Sequence, residues 1–423
     1  MTVAELLAGL LGRDLSVAIR AYDGSTAGPA DARTTVVVRS PDALRRLATA
    51  PNELGFGRAY VAGDFDVDGN IFDVIEATKR AQRVRVGPRE ITAAIRLVGP
   101  TGLKPLPPPP EEARLRGRRH SRERDAAAIA HHYDVSNEFY RMVLGPSLTY
   151  SCALWSDTTT TLEDAQEAKY ELICRKLALE PGMRLLDIGC GWGGMLLHAA
   201  RHHGARVVGV TLSRPQADLA RARVADAGLA DRVEVRFGDF RDVTDGPYDA
   251  ISSIGMFEHV GLVELAAYFR RCRGLLAPRG RMVNHGISRP AHTRKKTHGR
   301  FAPRMLGWGF TDRYVFPDGE LHEVGTVVSA MQHAGFEVRH LESLREHYAR
   351  TLRCWVANLE SSWDDALREA GAGRARVWRL YMAAAAVGFE CGDNQIHQIL
   401  GAATTAGDSG FGLRPPFTWR ARE

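Results

Sequence analysis

The sequence predicts an α/β protein: a mainly parallel sheet covered by helices on both faces, preceded by a smaller mixed N-terminal domain. Three observations carry that prediction. From about residue 126, apolar runs of strand length alternate with helical segments. One run, 184–188, ends in a glycine-rich turn that opens a helix. A proline run and a crowd of arginines separate this region from the first hundred residues.

Residues 1–103 mix short apolar runs such as 35–38 with helix-like stretches such as 41–50, and read as a small mixed domain. Lys104-Pro105-Leu106, the four prolines after it and six arginines within 111–124 read as a linker over 104–125. Those arginines suit a solvated face as well as an anionic membrane surface. The α/β domain is expected over 126–423, with strands at 184–188, 206–210, 233–237, 250–253 and 281–284. Helices are expected at 195–203, 215–227 and 262–276. Beyond residue 320 the pattern gives a helix-rich stretch 320–333, a strand 337–343 and helices at 377–390 and 394–400.

Composition narrows the class. At 423 residues, 25% charged and 44% apolar, the chain can hold a sizeable core and a second module. No apolar run reaches the roughly 18 residues that a membrane span requires. The apolar stretch 4–11 carries Glu5 and runs into Arg13 and Asp14, so a cytoplasmic protein is expected rather than a secreted one. Six scattered cysteines without a C-x-x-C pair argue against a disulfide framework, and no metal site is expected; His131 and His132 lack a third ligand. The net charge of +6 is compatible with anionic lipid, nucleic acid or neither.

The strongest local signal is Leu185-Leu186-Asp187-Ile188-Gly189-Cys190-Gly191-Trp192-Gly193-Gly194. Glycines let a backbone approach a ligand where a Cβ would collide. The G-x-G-x-G spacing alone is shared with dinucleotide folds, but Asp187 directly before the turn resembles the first motif of class I S-adenosylmethionine-dependent methyltransferases, a Rossmann-like fold. No phosphate-binding lysine follows, which disfavours a P-loop. At the second strand end, Thr211 and Gln216 offer neutral hydrogen bonds where a dinucleotide enzyme would place an acid. At the third, Asp239 and Phe240 could take an adenine amine and ring face. Taken singly, these two read as a helix cap and a core aromatic.

Further blocks carry a more specific resemblance. They are His131-His132-Tyr133-Asp134-Val135-Ser136-Asn137, Thr149-Tyr150-Ser151-Cys152-Ala153-Leu154-Trp155, Leu162-Glu163-Asp164-Ala165-Gln166 and Gly255-Met256-Phe257-Glu258-His259-Val260-Gly261. Asn284-His285-Gly286-Ile287, Tyr314-Val315-Phe316-Pro317-Asp318-Gly319-Glu320-Leu321 and His347-Tyr348-Ala349-Arg350-Thr351-Leu352 follow. With the glycine turn, they make residues 120–400 resemble the cyclopropane-fatty-acyl-phospholipid synthase family, which includes the mycolic acid cyclopropane synthases. The segment 55–65 is similar to the accessory domain of the phospholipid-acting members.

The resemblance implies methyl transfer from S-adenosylmethionine to the double bond of an unsaturated phospholipid acyl chain. It also implies a bicarbonate ion held by Cys152, Glu258, His285, Ile287 and Tyr348, and cofactor contacts from Tyr150, Ser151, the Gly189, Gly191, Gly193 and Gly194 turn, Thr211 and Gln216. An alkene is a weak nucleophile, so a sulfonium methyl is a fitting electrophile. The carbocation formed must be shielded from water and lose a proton to a fixed base. Loss with ring closure gives a cyclopropane. Loss without it gives a 10-methylene chain, which a partner reductase would convert to a methyl branch. Without the resemblance, Glu258 reads as a surface residue at a strand end, His285 and Tyr348 as core residues, and Cys152 as a small buried one.

The implied address is the cytoplasm, peripherally on the inner membrane face, with the oligomeric state open. Arg289, Arg294, Lys295, Lys296, Arg300 and Arg304, followed by Met305-Leu306-Gly307-Trp308, read equally as a membrane seat and as a solvated loop. Trp155, Trp192 and Trp308 are expected in packing or pocket walls. A nucleic-acid or soluble-substrate methyltransferase is disfavoured by the lack of an Asn/Asp-Pro-Pro-aromatic motif and of any nucleic-acid module. A non-catalytic cofactor-binding partner is disfavoured by the full set of five anion-site residue types.

Overall fold

The computed structural model describes residues 1–12, 15–81, 88–99, 104–115, 117, 121–133, 135–158, 161–291 and 309–413. Two compact units divide the chain. The first takes the described residues of Met1–Arg114, Ala302–Pro317 and Leu359–Val387, and the second those of Leu115–Phe301, Asp318–Asn358 and Gly388–Glu423.

In the first unit, β1 (Ala18–Ala21), β2 (Thr26–Ala27), β3 (Thr35–Val38) and β4 (Phe65–Asp68) form a sheet in the order β2-β1-β3-β4. Val36 and Val38 are buried while Thr35 and Val37 are partly exposed, as expected of a strand covered on one face. Helix Glu53–Val61 buries Gly57, where an added Cβ would stand 2.2 Å from the Phe310 ring. Glycine there lets the aromatic lie against the helix backbone. Glu112, in the Pro/Arg-rich stretch, is buried. It accepts two bonds of 2.8 Å from Arg58, one of 3.1 Å from Arg313 and one of 3.2 Å from the Tyr314 hydroxyl. Such pairing is what makes a buried carboxylate tolerable.

In the second unit, β5 (Arg184–Ile188), β6 (Arg206–Thr211), β7 (Val233–Phe237), β8 (Tyr248–Ile254), β9 (Leu276–Ser288), β10 (Glu337–Ser343) and β11 (Gln395–Ala402) build one sheet. Its order is β10-β11-β9-β8-β5-β6-β7, parallel from β9 through β7, with β11 antiparallel to both its neighbours. Leu185 and Leu186, adjacent in β5, join different apolar clusters. Leu185 packs with Ile173, Leu177, Leu196 and Ala220 of helices Leu162–Leu177, Gly194–His203 and Arg214–Asp226. Leu186 packs with Phe269, Val327 and Met331 of helices Leu265–Leu275 and Val324–His333. Helices therefore cover both faces, because successive strand residues point to opposite sides. Strand order reverses beside β5, which is where an open α/β sheet leaves a crevice at its carboxyl edge.

Three expectations are corrected. Residues 394–400 are not a helix but the start of β11, in which every position except Gln395 is buried. A strand buried on both faces shows no alternation, so periodicity cannot tell it from a buried helix. The strand expected at 281–284 extends over Leu276–Ser288 and so takes in His285 and Ile287. The helix expected from 320 begins at Val324. In the basic run, Arg124 donates to both carboxylate oxygens of Asp318, so that guanidinium is committed to an ion pair. Arg289 is likewise engaged, at 2.9 Å from the Leu321 carbonyl. Arg294, Lys295, Lys296, Arg300, Arg304, Met305 to Trp308 and Asp134 lie outside the described residues. No helix among the described residues is long and apolar enough to cross a membrane.

Candidate active site

After Ile188 the chain turns through Gly189 to Gly193 into helix Gly194–His203. Gly189 and Gly193 have φ of +80° and +84°, a region L side chains rarely adopt. A cleft of about 940 Å³, open mouth included, lies over this turn. Among the residues assigned to the cofactor from sequence, Tyr150, Ser151, Asp187, Gly189, Gly191, Gly194, Thr211, Gln216 and Phe240 line it. Gly193 and Asp239 do not. Gly193 caps the helix instead, and Asp239 accepts from the backbone N–H of Arg241 at 2.9 Å and from its guanidinium at 2.6 Å. Trp192 is a wall residue, its indole N–H donating to Asn137 at 2.7 Å.

The polar groups of the cleft are arranged by one another. Thr211 Oγ1 donates to Gln216 Oε1 at 2.8 Å and accepts the Ser213 N–H at 3.2 Å, which fixes both side chains at the end of β6. Ser252 donates to Asp187 Oδ1 at 2.6 Å, while burial pushes the Asp187 carboxyl up to about 6. The sequence reading missed Lys169. It is fully buried, lines the cleft, donates to Ser151 Oγ at 3.0 Å and lies 3.6 Å from the Tyr170 ring centre. Burial brings its ammonium down to about 7. The signal that could have found it is its place in the buried stripe Leu162, Ala165, Lys169, Leu172, Lys176 of one helix, where a lysine is out of character.

Of the five residues expected to surround an anion, Glu258, His285 and Ile287 lie at the carboxyl ends of β8 and β9, and backbone contacts through Leu344 and Ile396 link Cys152 and Tyr348 to that edge. Glu258 follows β8 on a short turn, and its Oε1 accepts the Ile287 N–H at 2.7 Å. His285 lies two residues before Ile287 and so on the same face of β9. Ile287 pairs with Ile396 of β11, whose carbonyl accepts the Leu344 N–H at 3.0 Å. The Leu344 carbonyl in turn accepts from the Tyr348 N–H at 3.1 Å and the Cys152 thiol at 3.7 Å. Tyr348 is held edge-on to Trp355 at 5.9 Å.

Burial favours the neutral forms of Glu258, Cys152 and His285. Burial raises the Glu258 carboxyl to about 7 and pushes the Cys152 thiol far up. Burial, then the neighbouring Lys169, Lys176 and His397, hold His285 well below its ordinary value. Glu258 Oε2 and His285 Nε2 are buried with no hydrogen-bond partner among the described residues. Leaving such an atom unmatched costs about 1–3 kcal/mol.

Away from the cleft, one ligand atom each of Cys174, His198 and His203 lie within 4.8 Å of one another, a grouping the sequence reading did not see. Glu171 Oε2 stands 3.3 Å and 2.9 Å from the Nε2 atoms of the two histidines.

The family model described as mycolic acid cyclopropane synthetase matches residues 120–399. A probable fatty acid methyltransferase of Mycobacterium tuberculosis is 47% identical over 407 residues, 93% of either chain. The cyclopropane-fatty-acyl-phospholipid synthase of Escherichia coli is 32% identical over 386 residues, 91% of either chain. A solved mycolic acid cyclopropane synthase, complexed with SAH and CTAB, superposes with a TM-score of 0.61 at 34% identity, covering 66% of this chain and 98% of that one. The chain therefore belongs to the mycolic acid cyclopropane synthetase family and is an S-adenosylmethionine-dependent C-methyltransferase.

Proposed function

We propose that this enzyme methylates the double bond of an unsaturated acyl chain in a membrane phospholipid and closes a cyclopropane, using a bound bicarbonate as base. The observation that carries the reading is that Glu258 Oε2 and His285 Nε2 are both buried with no hydrogen-bond partner among the described residues. A planar oxyanion with several acceptor oxygens suits them. A protonated Glu258 can share its proton with one oxygen, His285 and Tyr348 can donate to others, and the Ile287 N–H fixes the carboxyl that does so. The likeness to the Escherichia coli phospholipid synthase along nearly the whole chain supports the phospholipid substrate and the ring product.

S-adenosylmethionine would supply an electrophilic methyl group, and the bicarbonate a base. The chain's own residues bind and orient these groups: the glycine turn approaches the cofactor closely, and Thr211 and Gln216 offer neutral hydrogen bonds. Cys152, buried as a neutral thiol, offers a weak donor and a small apolar wall rather than a nucleophile. The N-terminal region 1–103 is assigned a lipid-associated accessory role, and the site of action the cytoplasmic membrane face.

The test is mass spectrometry and NMR of lipids extracted after incubation with labelled S-adenosylmethionine and oleoyl phospholipid vesicles. A gain of one CH₂ with ring protons is the expected result. The same gain with vinylidene protons would replace the cyclopropane by a methylene product awaiting a reductase. No gain, with cofactor binding confirmed, would overturn the lipid substrate.

A further inference from the structure

We infer that Gln398 and Lys176 are positioning residues that hold His285 as its Nε2–H tautomer, making the imidazole a neutral donor to the anion of the proposed site. The anion half of this statement rests on the reading above; the tautomer half does not.

Lys176 Nζ is buried and lies 2.6 Å from Glu342 Oε2 and 2.7 Å from Gln398 Oε1. An ammonium has only hydrogens to give, so the Gln398 carboxamide must turn its oxygen to Lys176. The opposite orientation would set an NH₂ against an NH₃⁺. Its NH₂ then faces His285 Nδ1 at 3.1 Å and can only donate. Nδ1 must therefore accept. A neutral ring carries one proton, and with Nδ1 accepting, that proton sits on Nε2. His397, the neighbouring imidazole, is occupied elsewhere, its Nδ1 2.8 Å from Ser288 Oγ. The chain Glu342–Lys176–Gln398–His285 thus aims one N–H from β9, through the adjacent β11, at the unmatched side of the site.

The state chosen suits the chemistry. An imidazolium could hand its proton to a bicarbonate and destroy the base. An Nδ1–H tautomer would point a lone pair at the anion and repel it. Only the neutral Nε2–H ring can hold the anion and leave it basic.

The experiment is long-range ¹H–¹⁵N correlation NMR on the full chain labelled with ¹⁵N-histidine, His285 being assigned by its loss in His285→Gln. The wild-type spectrum should show His285 with an unprotonated Nδ1 and a protonated Nε2. Gln398→Glu, nearly identical in shape, offers an acceptor to both neighbours and should reverse that pattern. It should also lower turnover at least tenfold while leaving the affinity for S-adenosylhomocysteine, read by calorimetry, within twofold. Lys176→Met frees the carboxamide to flip, and should give both tautomers. A wild-type His285 protonated at Nδ1 would overturn the inference without any variant, as would an unchanged pattern in a folded Gln398→Glu. Reversal of the pattern with turnover and bicarbonate dependence untouched would uphold the positioning and overturn the anion reading instead.

Discussion

The Ile287 N–H donates to Glu258 Oε1 at 2.7 Å, tying a carboxyl that follows β8 to the backbone of β9 and leaving its other oxygen buried and unmatched among the described residues. A single hydrogen bond thus divides the carboxyl into a fixed oxygen and one left to other contacts.

Glu258→Gln keeps the shape and the Ile287 contact but cannot share a proton with an anion. We expect S-adenosylhomocysteine affinity within about twofold of wild type and turnover lower by at least about 10²-fold, the lower range for loss of general acid–base assistance. Calorimetry and labelled-methyl incorporation measure the two. Near-normal turnover would mean that Glu258 does not hold the base.

The same carboxyl gives a pH signature in stability. Burial raises it from 4.5 to about 7, so between those values the folded chain holds a proton that the unfolded chain has released. Its contribution is complete below about 4.5, falls as pH rises towards 7, and is constant above that. The Gln variant cannot titrate. Its stability relative to wild type should therefore rise across this window, by on the order of 3 kcal/mol if the whole shift is expressed. Urea unfolding of both proteins at several pH values reads the difference, and a flat difference would contradict the burial.

Gly286 is the gap that lets this arrangement form. A Cβ there would stand 1.9 Å from the Phe257 ring and 3.1 Å from Glu258 Oε1. Gly286→Ala must push the Phe257–Glu258 turn off β9, at about 1–3 kcal/mol for overpacking. Turnover should fall more than tenfold in a protein that still melts cooperatively. Full activity would show that the turn can shift without loss.

The sheet was legible where pattern and length agree. The run 184–188 with its glycine turn could be placed because a buried strand entering a helix has few other solutions. Residues 395–402 could not, since a central strand buried on both faces carries no period. At the site, Glu258, His285 and Tyr348 became visible only through the family resemblance, because isolated polar residues say nothing of their neighbours. Lys176 and Gln398 were missed although they sit on His285's doorstep: they act through a contact 222 residues apart in the chain, which no local pattern encodes. Asp239, placed by motif, has a carboxylate that also accepts from Arg241 two positions on, a contact the motif does not encode.

Glu112 tests the first unit independently of the active site. Its carboxylate is buried, and two guanidiniums and a phenol converge on it. Glu112→Gln removes the charge but not the volume, leaving Arg58 and Arg313 with a neutral acceptor that can face only part of their donors. Arg313 is 36% exposed and water can relieve it, whereas Arg58 is 22% exposed and has less recourse. Breaking a fully buried pair costs about 3–5 kcal/mol, so a loss near the lower end, about 3 kcal/mol, is expected here. Chemical denaturation should show it as an earlier midpoint with an unchanged slope. A loss below about 1 kcal/mol would mean that the carboxylate is solvated and the cluster contributes little.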